Sequence, residues 1–261
     1  MPKFELSRRR FLTASAVGAA SLPLSGCFDS AGEIGGSVRN TLELANSLTY
    51  RVQRLLLRSD HLAVEYAESE IRQPQRPNGT VTPTDADYLS LAEASFSDYR
   101  LEISGLVERP MQLSLDELRN MPSRTQVTRH DCVEGWSCIA KWTGTPLGPV
   151  LDQAGIRPNA RYVVFDCFDT MEAGFTGPVR YYESIDLVDA HHPQTILAYG
   201  LNGETLPVAN GAPLRVRVER QLGYKMAKYI RAIRLTDTLA GIGGGRGGYW
   251  EDYGYDWFAG I

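Results

Sequence analysis

The sequence predicts an α+β fold built from mixed sheets and short helices. Three observations lead there. Runs rich in β-branched and aromatic residues recur through the second half of the chain. Short segments with helix start and stop signals fall between them. The two kinds of segment alternate without the even spacing of a βαβ repeat, and no internal repeat is present. A length of 261 residues allows one large domain or two small ones.

Residues 1–26 read as an address rather than as fold. Lys3, Arg8, Arg9 and Arg10 make a cationic start, and Phe11 to Leu24 is an apolar stretch too short for a comfortable membrane span. Ser7-Arg8-Arg9-Arg10-Phe11-Leu12 resembles the twin-arginine export signal, which is read by a receptor. Leu24-Ser25-Gly26-Cys27 resembles the lipobox of bacterial lipoproteins. These resemblances imply the twin-arginine export machinery and the periplasmic side of a bacterial inner membrane. They also imply attachment through a lipid on Cys27 alone. An uncleaved N-terminal anchor is the other reading. Twin-arginine cargo often travels folded around a cofactor, which directs attention to redox chemistry.

Residues 27–56 should form a tether and a helix. Ala31 to Gly36 is small and flexible, Ser37 is a candidate N-cap, and Val38, Leu42, Ala45, Leu48, Val52 and Leu55 share one helical face. Residues 57–240 form the body. Gln73 to Thr84 carries three prolines and Asn78-Gly79, so it should be an irregular loop. Leu101, Ile103 and Gly105 alternate with polar residues as in a strand. Ser114-Leu-Asp-Glu117 is a capping box that opens a short helix. Thr145-Pro146 should cap the next helix, which Gly155 ends. Tyr162 to Phe165 is a strand run. Asn202-Gly203 between two apolar runs is a hairpin turn. Leu214 to Val218 and Tyr229 to Leu235 complete the strands. Residues 241–261 are a Gly-rich arm so dense in aromatics that it should pack over the body.

Composition narrows the function. A charged fraction of 22% and a hydrophobic fraction of 43% exclude wholesale disorder. A net charge of −4 gives no basic field, so nucleic acid is not an expected partner. With Cys27 set aside, Cys132, Cys138 and Cys167 remain, an odd number that leaves at least one thiol without an intramolecular partner.

Chemistry points to Arg129-His130-Asp131-Cys132-Val133-Glu134-Gly135-Trp136-Ser137. A cysteine beside Arg129 and His130 sits in a field that could favour thiolate, the metal-binding form. From the residues alone a metal ligand, a nucleophile and a buried structural thiol all stay open. Zinc fits poorly, because there is no C-x-x-C and no H-E-x-x-H. Gly243, Gly245 and Gly248 match G-x-G-x-x-G, but no helix pattern follows.

The segment His130 to Ser137, followed by Trp142-Thr143-Gly144-Thr145-Pro146-Leu147, resembles the molybdenum-cysteine segment of the sulfite oxidase family of molybdopterin oxidoreductases. The nearest flavour is its bacterial methionine-sulfoxide-reductase branch. Asn210 to Arg215 with Gly223 to Lys228, and Ser104 to Pro110, resemble further signatures of that family in the right order. The resemblance implies the sulfite oxidase molybdopterin-binding fold and a molybdenum-molybdopterin cofactor, with Cys132 as the single protein ligand of the metal and the catalytic residue. It implies cofactor contacts from Asn210, Arg215, Met226, Ala227 and Lys228, and from Cys167, which stands where the branch has a threonine. His61, Val64 and Glu65 hold the place of the family's first contact segment. The expected substrate is a small oxyanion or a sulfoxide. No C-x-x-C-H is present for haem attachment, so electrons should come from a separate partner, a cytochrome or a membrane haem subunit. Two other readings stay in view: a cofactor-free binding lipoprotein of the same fold, and a thiol-dependent hydrolase using Cys132.

Overall fold

The structure is a computed structural model that describes residues 32–174 and 177–261, with side chains from residue 41 onward. The export address and Cys27 lie outside the described residues. The chain divides into two units, and Asn46–Ile261 holds both sheets and the site.

The first helix, α1 (Gly32–Leu56), starts earlier than its sequence suggests. Gly32 to Gly36, expected as tether, is helical, and Ser37 lies inside the helix rather than capping it. The apolar stripe is largely open to solvent. Leu48, Val52 and Leu55 are 52%, 50% and 83% exposed. The helix instead uses Tyr50 and Arg54, whose side chains donate to Asp186 at 2.7 and 2.8 Å, and Arg54 also reaches Asp189. Charge-assisted bonds to buried carboxylates outweigh the periodicity of the leucines here.

An irregular segment crosses residues 73–84, as the prolines predicted. Then come α2 (Ala86–Glu93), β1 (Arg100–Gly105), β2 (Met111–Ser114) and α3 (Leu115–Asn120). The Ser114 capping box forms in both directions: the Glu117 N–H donates to Ser114 Oγ, and the Ser114 N–H donates to Glu117 Oε2. Next are β3 (Arg124–Cys132), β4 (Trp136–Pro146) and α4 (Leu147–Ala154). Pro146, not Thr145, is the cap of α4. Thr145 stays in the strand and its hydroxyl donates to Leu118 O. The rest is β5 (Tyr162–Gly174), β6 (Gly177–Asp186), α5 (Leu187–Ala190), β7 (Ile196–Leu201), β8 (Glu204–Thr205), β9 (Arg215–Arg217), β10 (Ile230–Thr236) and α6 (Tyr249–Asp252).

The strands form two sheets. One runs β2-β1-β10-β5-β6, with β1 and β10 parallel and its other pairs antiparallel. The other runs β3-β4-β7-β8, with β9 joined to β7. Leu101, Ile103, Phe165 and Ile233 of the first sheet share one core with Leu147, Val150 and Leu151 of α4, all without solvent exposure. Each such side chain contributes about 1.5–3 kcal/mol on burial. The Asn202-Gly203 turn joins β7 and β8 with both residues at positive φ, 53° and 89°, as a tight hairpin requires.

Candidate active site

Cys132 ends β3 and pairs with Trp136 across the turn to β4. Three residues make that turn. Gly135 closes it at a φ of 84°, and its N–H donates to Cys132 O at 3.0 Å. The tight turn folds the backbone N–H groups of Val133 and Glu134 onto the cysteine sulfur, where they favour thiolate. Burial and the Glu134 carboxylate act against them, and the thiol pKa is raised overall. Arg129 and His130 do not supply the field expected from sequence. Arg129 is paired with Asp131 at 2.9 Å, and burial holds His130 neutral, its pKa well below the usual imidazole value. Arg217 donates to His130 Nδ1 at 3.0 Å, so the proton belongs on Nε2, which has no partner.

Cys132 opens on a cavity of about 200 Å³. Met226 and Lys228 stand in its wall together with Gly223, Asp169 and the loop at Asn78 to Thr80. Lys228 Nζ donates to Asn78 O at 2.5 Å and Ala209 O at 3.2 Å, and also to Thr80 O. Burial and the neighbouring Arg215 push its pKa down to about 7. Burial raises the Asp169 carboxyl to about 6 against the pull of Lys228, and its Oδ1 accepts no hydrogen bond.

Arg215 and Asn210 stand one layer behind. Gly211 sits at a φ of 114°, and a Cβ there would crowd the Lys228 and Arg215 Cβ atoms at 3.0 and 3.2 Å, so glycine suits this close packing of the two stems. Arg215 donates to Asn210 O at 2.9 Å and Met226 O at 3.3 Å, and its guanidinium sits 4.9 Å from the Trp142 ring centroid. Burial and Arg217 lower its pKa to about 9. Lys228 and the two terminal nitrogens of Arg215 therefore point at backbone carbonyls, while the buried Arg215 Nε has no hydrogen-bond partner. Ala227 is buried, and its carbonyl accepts from the Val216 N–H.

The remaining expected contacts lie elsewhere. Cys167 is 1% exposed in the core, outside the Cys132 cavity wall, and burial drives its pKa well above the usual thiol value. His61 and Val64 line a separate cavity beside Thr128 and Asp131. Glu65 accepts from Gln194 at 3.0 Å and pairs with Arg124. His192 Nε2 donates to His61 O at 2.9 Å while its Nδ1 accepts from the Gln194 N–H, so this histidine fixes a loop. Cys138 is buried in β4. The sequence signalled neither Asp169 nor the Asn78–Thr80 loop as part of the site. Asp169 closes the strand run Tyr162-Val163-Val164-Phe165-Asp166-Cys167-Phe168, and with Asp166 already in that run no local signal set it apart.

The donor set fits a molybdopterin. A free thiol suits a soft metal. The unpaired Asp169 oxygen can accept from pterin N–H groups, and Lys228 sets a cation in the same wall. No cluster of histidine, cysteine and acid side chains suited to a classical all-protein metal site occurs among the described residues.

The model of the oxidoreductase molybdopterin binding domain matches residues 88–240, more than half of the chain. The chain belongs to this family. It is an oxidoreductase of the molybdopterin-binding class, and its mixed sheets and short helices are those of the sulfite oxidase fold. A putative protein-methionine-sulfoxide reductase subunit of Azospira oryzae is 40% identical over 257 residues, covering 97% of this chain and 88% of that relative. Catalytic subunits of protein-methionine-sulfoxide reductase are 38% identical in Gluconobacter oxydans and in Xanthomonas campestris, over 53% and 55% of this chain. The chain spans about half the length of these two, 47% and 46%. The sulfane dehydrogenase of Paracoccus pantotrophus is similar at 24% identity and a TM-score of 0.47, over 54% of this chain and 39% of that one.

Two substitutions probe this molybdopterin-class site. A Cβ at Gly223 would meet the His130 ring at 2.4 Å and Asp131 O at 3.2 Å. Gly223→Ala should therefore cost about 1–3 kcal/mol in urea denaturation. It should also shift the end of β3, which carries Cys132. Asp169→Asn should act through pH. The folded Asp169 pKa, about 6, is above its unfolded value, so the group's stabilising contribution is present below about pH 4 and is lost as pH rises through 6. The cofactor-free Asp169→Asn protein should be more stable than wild type by about 2–3 kcal/mol at pH 8. That advantage should vanish near pH 4; an equal advantage at both pH values would refute the assignment.

Proposed function

We propose that this chain is the catalytic part of an exported molybdenum enzyme that reduces sulfoxides. One observation carries the choice of a neutral sulfoxide over an oxyanion. Among the described residues Lys228 is the one cation lining the cavity, with Arg76 acting on Cys132 from outside that lining, and three backbone carbonyls already occupy the Lys228 N–H donors. Glu134 and Asp169 add carboxylates to that wall, and Met171 and aromatic rings supply much of the remainder. A sulfite ion would meet little positive charge there, and burying an uncompensated anion is costly. A sulfoxide needs none. The names of the relatives agree with a sulfoxide.

Bound through Cys132, a molybdenum-molybdopterin supplies two-electron oxo-transfer chemistry at the sulfur. The protein does the rest. The Val133 and Glu134 N–H groups would steady the thiolate, the free Asp169 oxygen would accept from the organic part of the cofactor with the charge of Lys228 beside it, and Arg215 braces the backbone at Asn210 and Met226 behind them. Arg217 fixes the His130 tautomer and keeps a donor on Nε2 beside Gly223. Electrons come from a separate haem partner. The address in residues 1–26 takes the folded protein to the periplasmic face of the inner membrane, where a lipid on Cys27 holds it. No helix among the described residues is long and apolar enough to cross a membrane.

The test is purification from a molybdenum-competent host. Near-stoichiometric molybdenum, with a reduced dye oxidised by sulfoxides faster than sulfite is oxidised, is the expected result. A metal-free protein would favour the binding lipoprotein, and thiol-sensitive hydrolysis without metal the hydrolase. Arg8→Lys with Arg9→Lys should keep the protein in the cytoplasm; normal export of that variant would dismiss the twin-arginine route.

A further inference from the structure

The C-terminal arm, residues 241–261, lies beyond the matched family segment, yet it builds part of the cavity at Cys132. Trp250 and Tyr255 from the arm stand in the wall with Tyr181 and Tyr224 from the body. Trp250 and Tyr255 stack with centroids 5.6 Å apart and planes at 28°, and Tyr255 meets the Tyr224 ring edge-on at 5.2 Å. The phenol groups of the body pair are already used. Tyr181 Oη donates to Tyr224 O at 2.5 Å, and Tyr224 Oη donates to Asp256 O at 2.6 Å. The cavity therefore meets aromatic carbon more than hydroxyl. Asp169 and Lys228 are 4% and 5% exposed, Trp250 is half-buried and Tyr255 is 42% exposed, so the arm's rings lie nearer the mouth and the polar pair lies deeper.

The wall is held firmly. Glu251, one residue after Trp250, is fully buried and accepts from Lys225, which also donates to Glu183. Past Tyr255 the arm is stitched down again: the Leu222 N–H donates to Ala259 O at 2.9 Å, and the Ile261 N–H donates to Arg220 O at 3.0 Å. A recognition surface fixed at both ends loses little freedom when it binds.

We propose that Trp250 and Tyr255 are the specificity wall of the enzyme, taking the apolar organic group of a sulfoxide against their ring faces beside Cys132. This inference rests on the sulfoxide reading above. Soft sulfur and flat apolar groups both pack well on aromatic rings. The chemical class selected is a sulfoxide with at least one extended or aryl substituent, in preference to the smallest dialkyl sulfoxides.

The experiment compares methyl p-tolyl sulfoxide with dimethyl sulfoxide on the full-length, molybdenum-loaded protein, with reduced benzyl viologen as electron donor. Wild type should prefer the aryl substrate. In Trp250→Ala and in Tyr255→Ala the ratio of the two kcat/KM values should fall about fivefold to tenfold, chiefly through the KM of the aryl substrate. Trp250→Phe should restore most of the ratio, and molybdenum content should match wild type in every variant. Should Trp250→Ala fail to fold, the more exposed Tyr255→Ala reads the same ratio. Variants that keep the wild-type preference overturn the inference alone. So does molybdenum lost in step with activity, which would make the arm a cofactor clasp. A wild type that reduces neither sulfoxide overturns the sulfoxide reading, and the inference with it.

Discussion

Cys132→Ser is expected to leave the protein folded and to strip it of molybdenum. The side chain is only partly buried and makes no disulfide, so exchanging sulfur for oxygen removes little packing. Thermal unfolding of the cofactor-free proteins should then agree within about 1 kcal/mol. Metal binding should not survive, because serine offers a hard, protonated oxygen where a soft thiolate is needed. Loss of a partner that merely orients a metal ligand already costs about 10–100-fold in affinity, so loss of the ligand itself should exceed that range. Metal analysis and dye-linked sulfoxide reduction, made on one preparation, check both halves. A variant that retains molybdenum and turnover would remove the sulfur from the centre of the chemistry.

Lys225→Met should be the most damaging substitution away from the cavity itself. Lys225, Glu183 and Glu251 are all without solvent exposure, and the one ammonium serves two carboxylates. Burial and the neighbouring Glu251 already lift the Glu183 pKa well above the carboxylate range, and the charge of Lys225 opposes that lift. Removing the ammonium leaves two acids buried without a counter-charge, which costs about 3–5 kcal/mol. Urea denaturation reads it directly. Adding Glu183→Gln and Glu251→Gln to Lys225→Met should recover much of the loss, because neutral amides can hydrogen-bond to one another. A Lys225→Met protein as stable as wild type would mean that the triad does not carry charge.

What the sequence revealed was what short range decides. The Ser114 capping box, the Asn202-Gly203 hairpin and the alternation of Leu101 with Ile103 are set by neighbours within a few positions, and each formed as read. The stripe on α1 shows where that logic stops. Periodicity located an apolar face, but the docked face was chosen by Asp186 and Asp189, more than 130 positions away. The site divides in the same way. Cys132, Met226 and Lys228 were legible because they sit in ordered motifs. Asp169 and the Asn78 loop were not, since their meaning lies in what folds against them. Arg129 misled because its charge is spent on Asp131. The aromatic arm was expected to pack on the body, but the cavity it helps to enclose was not foreseen.

The wall around Cys132 draws on positions from 78 to 255. A ribosome must therefore deliver everything through Tyr255 before that wall exists. Until Glu251 emerges, Lys225 has one acidic partner, and until Ala259 emerges the backbone at Leu222 lacks its hydrogen-bond acceptor. Before residues 250 to 255 follow, the thiol therefore has the body's part of its wall at most and none of the aromatic face that Trp250 and Tyr255 add.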